Sequence, residues 1–333
     1  MKTRRILMLL ALCVALLAAI VIVATCRSEE PPGKLRPGSG SWLPFVHRDL
    51  VGMSSFIRIE MGQWSYDSRK IVFQRKETLS TAWLIIGAAP FLGSGGGGEK
   101  KTTEKKEVMV YDVTDGSLTV LVEGSLSYLL PGKPLAACRT LDSKHNEHFH
   151  LMNWETGAPL DFGLPMRSDP MPSPDGRFVI FQSTGRILYL VSLDNEFAPV
   201  NLSVKMDAIL QGTNYSRYGA MWCMDGALYE TVEPSHDKYK LFMDDLSFRK
   251  VEECPKPYNI PGIYIRSGDI VESPDGKYGF RMDRVVKNYT RGKSKAGPIE
   301  VNTNIENLTL IGPDGTEKQI TDNRIPDEMA PKK

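Results

Sequence analysis

Apolar and polar residues alternate over short segments through most of the chain after residue 50. ILYLVSL, which begins at Ile187, places apolar residues at a period of two, the spacing of a half-buried β-strand. Such segments are bounded by turn-forming residues, as in PSPDGRFVIF from Pro172. A helical period is nearly absent beyond the N-terminal 26 residues. The pattern therefore predicts an all-β body.

The same turn-and-strand pattern occurs five times. The copies are WSYDSRKIVF from Trp64, YLLPGKPLAA from Tyr128, PSPDGRFVIF from Pro172, MWCMDGALYE around Trp222 and ESPDGKYGF from Glu272. Successive copies are separated by 64, 44, 50 and 50 residues, a period typical of stacked repeats. Each copy continues into further strands, and four antiparallel strands make one propeller blade. The sequence predicts a β-propeller of five or six four-stranded antiparallel blades over residues 55–330, preceded by an N-terminal transmembrane or signal helix.

Two copies carry a family resemblance. SPDGRFVIF with ILYLVSLD, and SPDGKYGF with LTLIGPDGTEKQITDN, resemble the WD40-like (PD40) repeats of TolB-like propeller proteins. The resemblance covers roughly residues 55–330 and implies an exported propeller, usually of six blades. It specifies the repeat rather than the function, because such blades occur in binding proteins, peptidases and polysaccharide lyases alike.

The acidic residue of each turn is interpreted as structural. Proline fixes φ, aspartate accepts from nearby backbone N–H groups, and glycine takes the positive-φ position. The residues assigned to this role are Asp67, Asp175, Gly176, Asp225, Gly226, Asp275 and Gly276. We expect them to set strand register rather than to act as acids or metal ligands.

The N-terminus predicts export. Basic residues precede an apolar run from Ile6 to Thr25, long enough to span a bilayer. An uncleaved anchor, a lipoprotein signal and an ordinary cleaved signal all fit residues 1–26; VATC resembles a lipobox, which makes Cys26 the lipidation candidate. Each alternative places the body outside the cytoplasm, and the predicted location is the cell envelope, with an anchor at the inner membrane. Residues 27–54, rich in Pro, Gly and Ser at their start, are a predicted tether.

Insertions between the second and third strands of the blades fall on one rim, which indicates a recognition face. The largest covers residues 76–106 and has an apolar half, made of Trp83, Leu84, Ile85, Ile86, Phe91 and Leu92. Exposed apolar surface of this kind indicates contact with a partner or with the membrane. The alternative is that the insertion folds over the propeller.

Histidines give the metal candidate. His145, His148 and His150 cluster at a loop and strand start, and the last two share one face of a strand. No cofactor is expected otherwise, and this cluster is the one place where a divalent metal is considered. Cys138, Cys223 and Cys254 leave two alternatives open: one disulfide with one buried thiol, or three buried thiols.

Charge and motifs exclude some functions. Lys and Arg number 41 against 40 acidic residues, a balance that does not favour nucleic acid. Common catalytic motifs, such as GxSxG, HExxH and the P-loop, are not found. The leading hypothesis is a membrane-tethered extracytoplasmic propeller that binds an envelope protein or glycan without catalysis. The alternative is a propeller hydrolase or lyase with a metal site near His145, His148 and His150.

Overall fold

The computed structural model describes residues 46–87, 97–196, 198–211, 216–259 and 265–329. The predicted N-terminal helix, Cys26 and most of the tether lie outside these ranges, as do Phe91 and Leu92. Within these ranges, no helix has both the length and the apolar character needed to cross a bilayer.

Five blades are formed by the described residues, in chain order. Blade I contains β1 (Val46–Trp64), β2 (Lys70–Gly87), β3 (Gly97–Asp112) and β4 (Leu118–Glu123). Blade II contains β5 (Ser125–Leu129), β6 (Leu135–Leu141) and β7 (Glu147–Asn153), with a bridge from Met152 to Pro159 beside them. Blade III contains β8 (Met171–Pro172), β9 (Phe178–Gln182), β10 (Leu188–Ser192) and β11 (Val200–Asn201).

The last two blades follow a short helix. Helix α1 (Leu202–Leu210) begins where the side chain of Asn201 accepts from the Val204 N–H. Blade IV contains β12 (Ser216–Trp222), β13 (Leu228–Glu233), β14 (Asp237–Phe242) and β15 (Ser247–Val251). Blade V contains β16 (Ile270–Glu272), β17 (Gly279–Ser294), β18 (Gly297–Ile311) and β19 (Glu317–Gln319). Short 3₁₀ turns lie at Thr184–Arg186 and Asp327–Met329. The all-β propeller prediction is confirmed, with five blades in the described residues.

The core lies between neighbouring blades. In β9, Phe178 and Ile180 pack toward blade IV, whereas Val179 and Phe181 pack toward blade II. Similar apolar clusters join blade I to blade II and blade V to blade I. Because a blade strand is buried on both faces, it reads as a continuous apolar run such as FVIF. This explains why the best-matching copies are apolar immediately after the turn.

The ring closes between blades V and I. The Trp64 indole N–H donates to the Val271 carbonyl in the first strand of blade V, at 2.9 Å. An equivalent bond joins blades IV and III, where the Trp222 indole donates to the Met171 carbonyl at 3.0 Å. Blades V and I therefore contact each other as two internal neighbours do.

Blades I and V also form one continuous sheet of eight strands, with the order β16-β17-β18-β1-β2-β3-β4 and β19 beside β18. The junction is a parallel pairing of β1 with β18, from Gly52 opposite Glu300 to Ile57 opposite Ile305. All other strand pairs in this sheet are antiparallel.

Candidate functional site

The five long strands of the eight-stranded sheet extend beyond the propeller body. They contain 15 to 19 residues, whereas strands of blades II to IV contain 2 to 7. We call the extended part the projecting sheet; it comprises residues 46–57, 75–87, 97–106, 283–294 and 297–306. Ten residues of strand correspond to roughly 33 Å. The predicted insertion 76–106 is thus mostly β-strand, with only residues 88–96 outside the described structure.

One face of the projecting sheet is covered by the chain's own C-terminal strap, residues 320–329. Met329 is fully buried against Met53 and Val301, and Ile325 packs beside them. Tyr289 donates its hydroxyl hydrogen to the Met329 carbonyl. A sheet outside the propeller core would otherwise bury little apolar surface, and this apolar cluster between strap and sheet provides such burial on one face.

Asn323 holds the strap by hydrogen bonds to blade I and to blade V. Its side-chain NH₂ donates to the Glu306 carbonyl at 2.8 Å, and its backbone N–H donates to Asn307 Oδ1 at 2.8 Å. Its side-chain oxygen accepts from Arg75 Nε at 2.9 Å. Arg75 also pairs with Glu107 at 2.9 Å. The strap therefore fastens blade I to blade V on this face.

The opposite face, which we call the open face, is mainly polar, although Phe56, Ala82 and Val286 also lie on it. Glu104 bridges Lys76 and Lys106 at 2.9 and 3.0 Å. The hydrogen bond from Lys76 lowers the pKa of the Glu104 carboxyl, and Lys106 lowers it further. Burial raises this pKa, but by less than the two lysines lower it. Ser80 and Thr102 share a cross-strand hydrogen bond at 2.9 Å. These contacts order the side chains in advance; Thr102 and Glu104 remain exposed, whereas Ser80 is buried.

A cleft of about 290 Å³ opens at the base of the open face, where β1 and β18 separate. We call it the base cleft; its lining residues are Arg58, Ile59, Glu60, Met61, Ile265, Met282, Arg284, Asn304 and Glu306. The Glu306 carboxylate accepts from the Ile59 N–H at 2.9 Å, just beyond the last parallel pair. The buried carboxylate thus satisfies a backbone donor that the ladder no longer pairs.

Two arginines in the base cleft retain donors for a ligand. Arg284 Nε donates to Asn304 Oδ1 at 2.8 Å, and the Arg58 guanidinium lies 6.0 Å from the Phe56 ring centre. Both side chains are exposed, and within the described part of the chain neither forms an ion pair. The Glu60 carboxylate accepts from Gln74 at 2.7 Å instead. A planar guanidinium with free N–H groups suits a carboxylate.

The edges of the projecting sheet are cationic. Lys100, Lys101 and Lys105 lie on the β3 edge, and Lys287 and Lys293 lie on the β17 edge. Lysine on an edge strand discourages uncontrolled pairing with other sheets. Over the whole projecting sheet there are eleven Lys or Arg against seven Asp or Glu, an excess of four in a chain whose net charge is +1.

Four of the predicted contact residues are placed by the structure, at the outer end of β2. Trp83 and Leu84 are partly buried, and Trp83 Nε1 donates to Thr81 Oγ1 at 3.2 Å. Ile85 and Ile86 pair along the backbone with Arg48 and His47 of β1. Because β1 begins at Val46, this outer end is also where the described chain starts.

The predicted turn residues are bound locally. Ser173 donates to the Asp175 carboxylate at 2.6 Å and accepts from the Phe178 N–H at 3.0 Å. The same serine, aspartate and backbone arrangement occurs at Ser65 and at Ser273. Gly176, Gly226 and Gly276 have φ of 70°, 79° and 70°, and Ser68 takes the equivalent position after Asp67 with φ of 62°.

Asp225 and Asp275 are likewise engaged within their own blades. Asp225 accepts from Ala227 N at 3.1 Å and from the Tyr229 hydroxyl at 2.8 Å. The Ser273 hydroxyl and the Lys277 N–H hold the pKa of Asp275 below its ordinary value. None of these aspartates lines the base cleft.

The three histidines lie on blade II, away from the projecting sheet. His145 occupies the β6–β7 turn with φ of 62°. His148 Nε2 lies 3.4 Å from Asp142 Oδ2, and His150 Nε2 lies 3.1 Å from Thr140 Oγ1. Burial, followed by the neighbouring His148, lowers the pKa of His150. Among the described residues no three His, Cys, Asp or Glu side chains are grouped to hold a metal ion.

Sequence reasoning did not identify the base cleft. Arg58, Arg284 and Glu306 come together because β1 pairs with a strand about 250 positions later in the chain, and no local pattern encodes that pairing. The available signal was the length of the alternating segment IEVNTNIENLTLI, which exceeds one blade strand.

Comparisons with known proteins show distant likeness to propeller structures. No family model and no curated protein matches the chain. The tricorn protease structure shares 15% identity at a TM-score of 0.29, covering 81% of this chain and 27% of that chain. The propeller domain of the Trilobed protease from Pyrococcus furiosus shares 10% identity at a TM-score of 0.21. The match covers 82% of this chain and 99% of that chain. A puromycin-hydrolysing peptidase of Mycobacterium tuberculosis shares 11% identity at a TM-score of 0.24. The match covers 81% of this chain and 54% of that chain. The chain thus spans about a quarter of the tricorn protease, and scores this low transfer no activity.

Proposed function

We propose that this chain is a membrane-tethered, extracytoplasmic propeller of the TolB-like, PD40-repeat type that binds an envelope protein or glycan without catalysis. The binding surface is the open face of the projecting sheet together with the base cleft. The observation that carries the proposal is the pair of exposed arginines, Arg58 and Arg284, in a cleft at the foot of the open face.

The two faces of the projecting sheet differ in what covers them, and this difference supports a binding role. The strap covers one face with buried apolar side chains, whereas the other face, as far as the described residues show it, carries mainly polar side chains of which Glu104 and Asn302 are exposed. Ordering long strands outside the propeller core costs conformational entropy that burial within the core does not offset. A pre-ordered polar surface lowers the cost of binding, because its side chains lose little further freedom.

The two arginines of the base cleft support an acidic partner. The excess of cations over the projecting sheet adds little here, because Lys101, Lys105 and Lys287 share the strap face with Met53. Complementary charge accelerates association and fixes register at an interface. Arg58 and Arg284 would receive carboxylates of the partner, either acidic side chains or acidic sugars.

The position of the tether supports a partner at the membrane. β1 starts at the outer end of the projecting sheet, so the segment that leads back to the predicted anchor leaves from this end. Residues 27–45 can span at most about 65 Å when extended. The inner membrane and the open face are therefore within reach of one partner.

Site-specific photo-crosslinking tests the proposal. The full-length protein would carry a photoactivatable residue at Asn302 on the open face or, as the control, at Tyr66 in the turn at the opposite end of β1. We expect a discrete adduct in native membranes from position 302 alone. Protease and glycosidase sensitivity of the adduct distinguishes a protein from a glycan.

A charge-reversal pair then identifies the base cleft as the contact. We expect the double substitution R58E/R284E to reduce the adduct at least tenfold, because two carboxylate contacts become repulsive. The substitution R249E/K277E makes the same charge change on exposed positions of blades IV and V and should leave the adduct unchanged. Equal adduct yields from both double variants, or no adduct from position 302, would refute the proposal.

A further inference from the structure

Cys223 occupies a position that serine holds in three other blades. Aligned on the turn, Ser65, Ser173 and Ser273 each donate to the aspartate two residues later and accept a backbone N–H from five residues later. In blade IV the corresponding segment is CMDGAL, which begins at Cys223. A thiol is a weaker hydrogen-bond donor and acceptor than a hydroxyl. The blade IV turn has therefore lost two hydrogen bonds that its counterparts keep.

A second cysteine is brought to this one by the connector between blades IV and V. The connector runs beside the end of β12, because Met224 N donates to the Lys256 carbonyl at 2.9 Å and Tyr258 N donates to the Trp222 carbonyl at 2.8 Å. These two bonds hold Cys254 against the turn. Its Sγ lies 3.0 Å from Cys223 Sγ, although the residues are 31 positions apart. An approach of about 1 Å more gives the length of a disulfide bond.

We propose that Cys223 and Cys254 form a disulfide that fastens the connector to the first strand of blade IV. The oxidant is a low-molecular-weight or protein disulfide, RS–SR, of an oxidising compartment. The Cys254 thiolate attacks one sulfur of RS–SR, which forms a mixed disulfide and releases the first RS⁻. The Cys223 thiolate then attacks Cys254 Sγ and releases the second RS⁻. The two protein thiols lose two electrons and two protons, and RS–SR is reduced to two RSH.

The order of attack follows from access. Cys223 is fully buried, whereas Cys254 is partly exposed and can meet an external disulfide. Burial, and then the hydrogen bond with Cys254, raises the pKa of Cys223 to about 12. The thiolate is the attacking species, so Cys254 reacts first.

Cys138 is the internal control. It is fully buried in β6 of blade II, within the cluster between blades I and II, and burial raises its pKa to about 12. Neither Cys223 nor Cys254 belongs to that cluster. Cys138 should stay reduced under conditions that join the other two.

Peptide mapping of the full-length protein tests the disulfide. The detergent-solubilised protein would be equilibrated with oxidised and reduced glutathione, treated with N-ethylmaleimide and digested with trypsin without reduction. We expect residues 218–238 joined to residues 251–266, with a mass two hydrogens below the sum of the two peptides. C138S should leave this species unchanged.

The variant C223S keeps the experiment decisive, because serine is the residue that three other blades carry here. We expect it to fold, to yield no joined peptide and to return Cys254 as the maleimide adduct. Oxidation should raise the Tm of the wild type by several degrees and leave that of C223S unchanged. Recovery of both wild-type peptides as maleimide adducts after oxidation, or Cys254 joined to any other cysteine, would overturn the proposal.

Discussion

At the residue scale, the turn that opens a blade works through three side chains rather than one. Aspartate accepts the N–H two residues later, serine accepts the N–H five residues later, and glycine supplies positive φ. The two turns with the sequence Ser-Pro-Asp-Gly, at Gly176 and Gly276, have the same φ of 70°. Their surroundings differ, because a Cβ on Gly176 would lie 1.9 Å from the Pro131 carbonyl oxygen of blade II, whereas a Cβ on Gly276 would meet nothing within 4 Å.

This pair predicts two distinct costs for glycine-to-alanine substitution. G276A should lower the free energy of unfolding by about 1 kcal/mol, the cost of positive φ for an L-residue. G176A should lower the free energy of unfolding by about 3 kcal/mol or more, because the cost of positive φ is increased by a steric clash with the backbone of blade II. Urea unfolding monitored by tryptophan fluorescence measures both. Equal losses would mean that the contact between Gly176 and Pro131 is not a feature of the folded protein.

How far the sequence predicts these residues depends on how local each interaction is. The Asp-Gly turns are predictable, because Asp175 bonds to a backbone group two positions away. The base cleft is not, because Arg58 and Arg284 become neighbours only through a parallel pairing between the two ends of the chain. The proposed pairing of Cys223 with Cys254 is only partly predictable. The sequence leaves it open, and the path of the connector between blades IV and V brings the two thiols together.

At the element scale, the projecting sheet depends on the strap, residues 320–329, which has no regular secondary structure over most of its length. The sequence predicts residues 76–106 as an insertion because these strands are polar on one face and only sparsely apolar on the other. The apolar partner of that second face is the strap, which the sequence places more than 200 residues after β2. A long hairpin is marginal alone, so its strand character becomes evident only once the strap is in place.

The strap is tested at Asn323. N323A removes the hydrogen bond from Arg75 and the one to the carbonyl of the buried Glu306, although Arg75 keeps its ion pairs with Glu77 and Glu107. We expect the free energy of unfolding to fall by about 2 kcal/mol, the range for breaking such bonds. Asn302 lies on the open face of the same sheet, is exposed, and serves as the matched control: N302A should change stability by less than about 0.5 kcal/mol. Equal effects in chemical unfolding would show that the strap does not stabilise the sheet.

At the scale of the whole molecule, ring closure is the feature that joins the chain ends. The alternation of apolar faces predicts that each blade packs on two neighbours, and this includes the first and the last. The structure adds a second connection, the parallel pairing that converts blades I and V into one sheet. A propeller closed in this way has its two terminal blades coupled through both backbone hydrogen bonds and the Trp64 contact with Val271.

Trp64 and Trp222 make a matched test of that coupling, because each indole donates to the first strand of the preceding blade. W64F should raise amide hydrogen exchange in β1 and in β16 to β18 together, since these strands belong to one sheet and open as one unit. W222F should raise exchange in blades III and IV and leave β1 and β18 at wild-type rates. Hydrogen exchange read by mass spectrometry resolves these segments. Faster exchange in blade I of W64F with blade V unchanged would show that the shared sheet does not open as a unit, and ring closure would then rest on side-chain contacts alone.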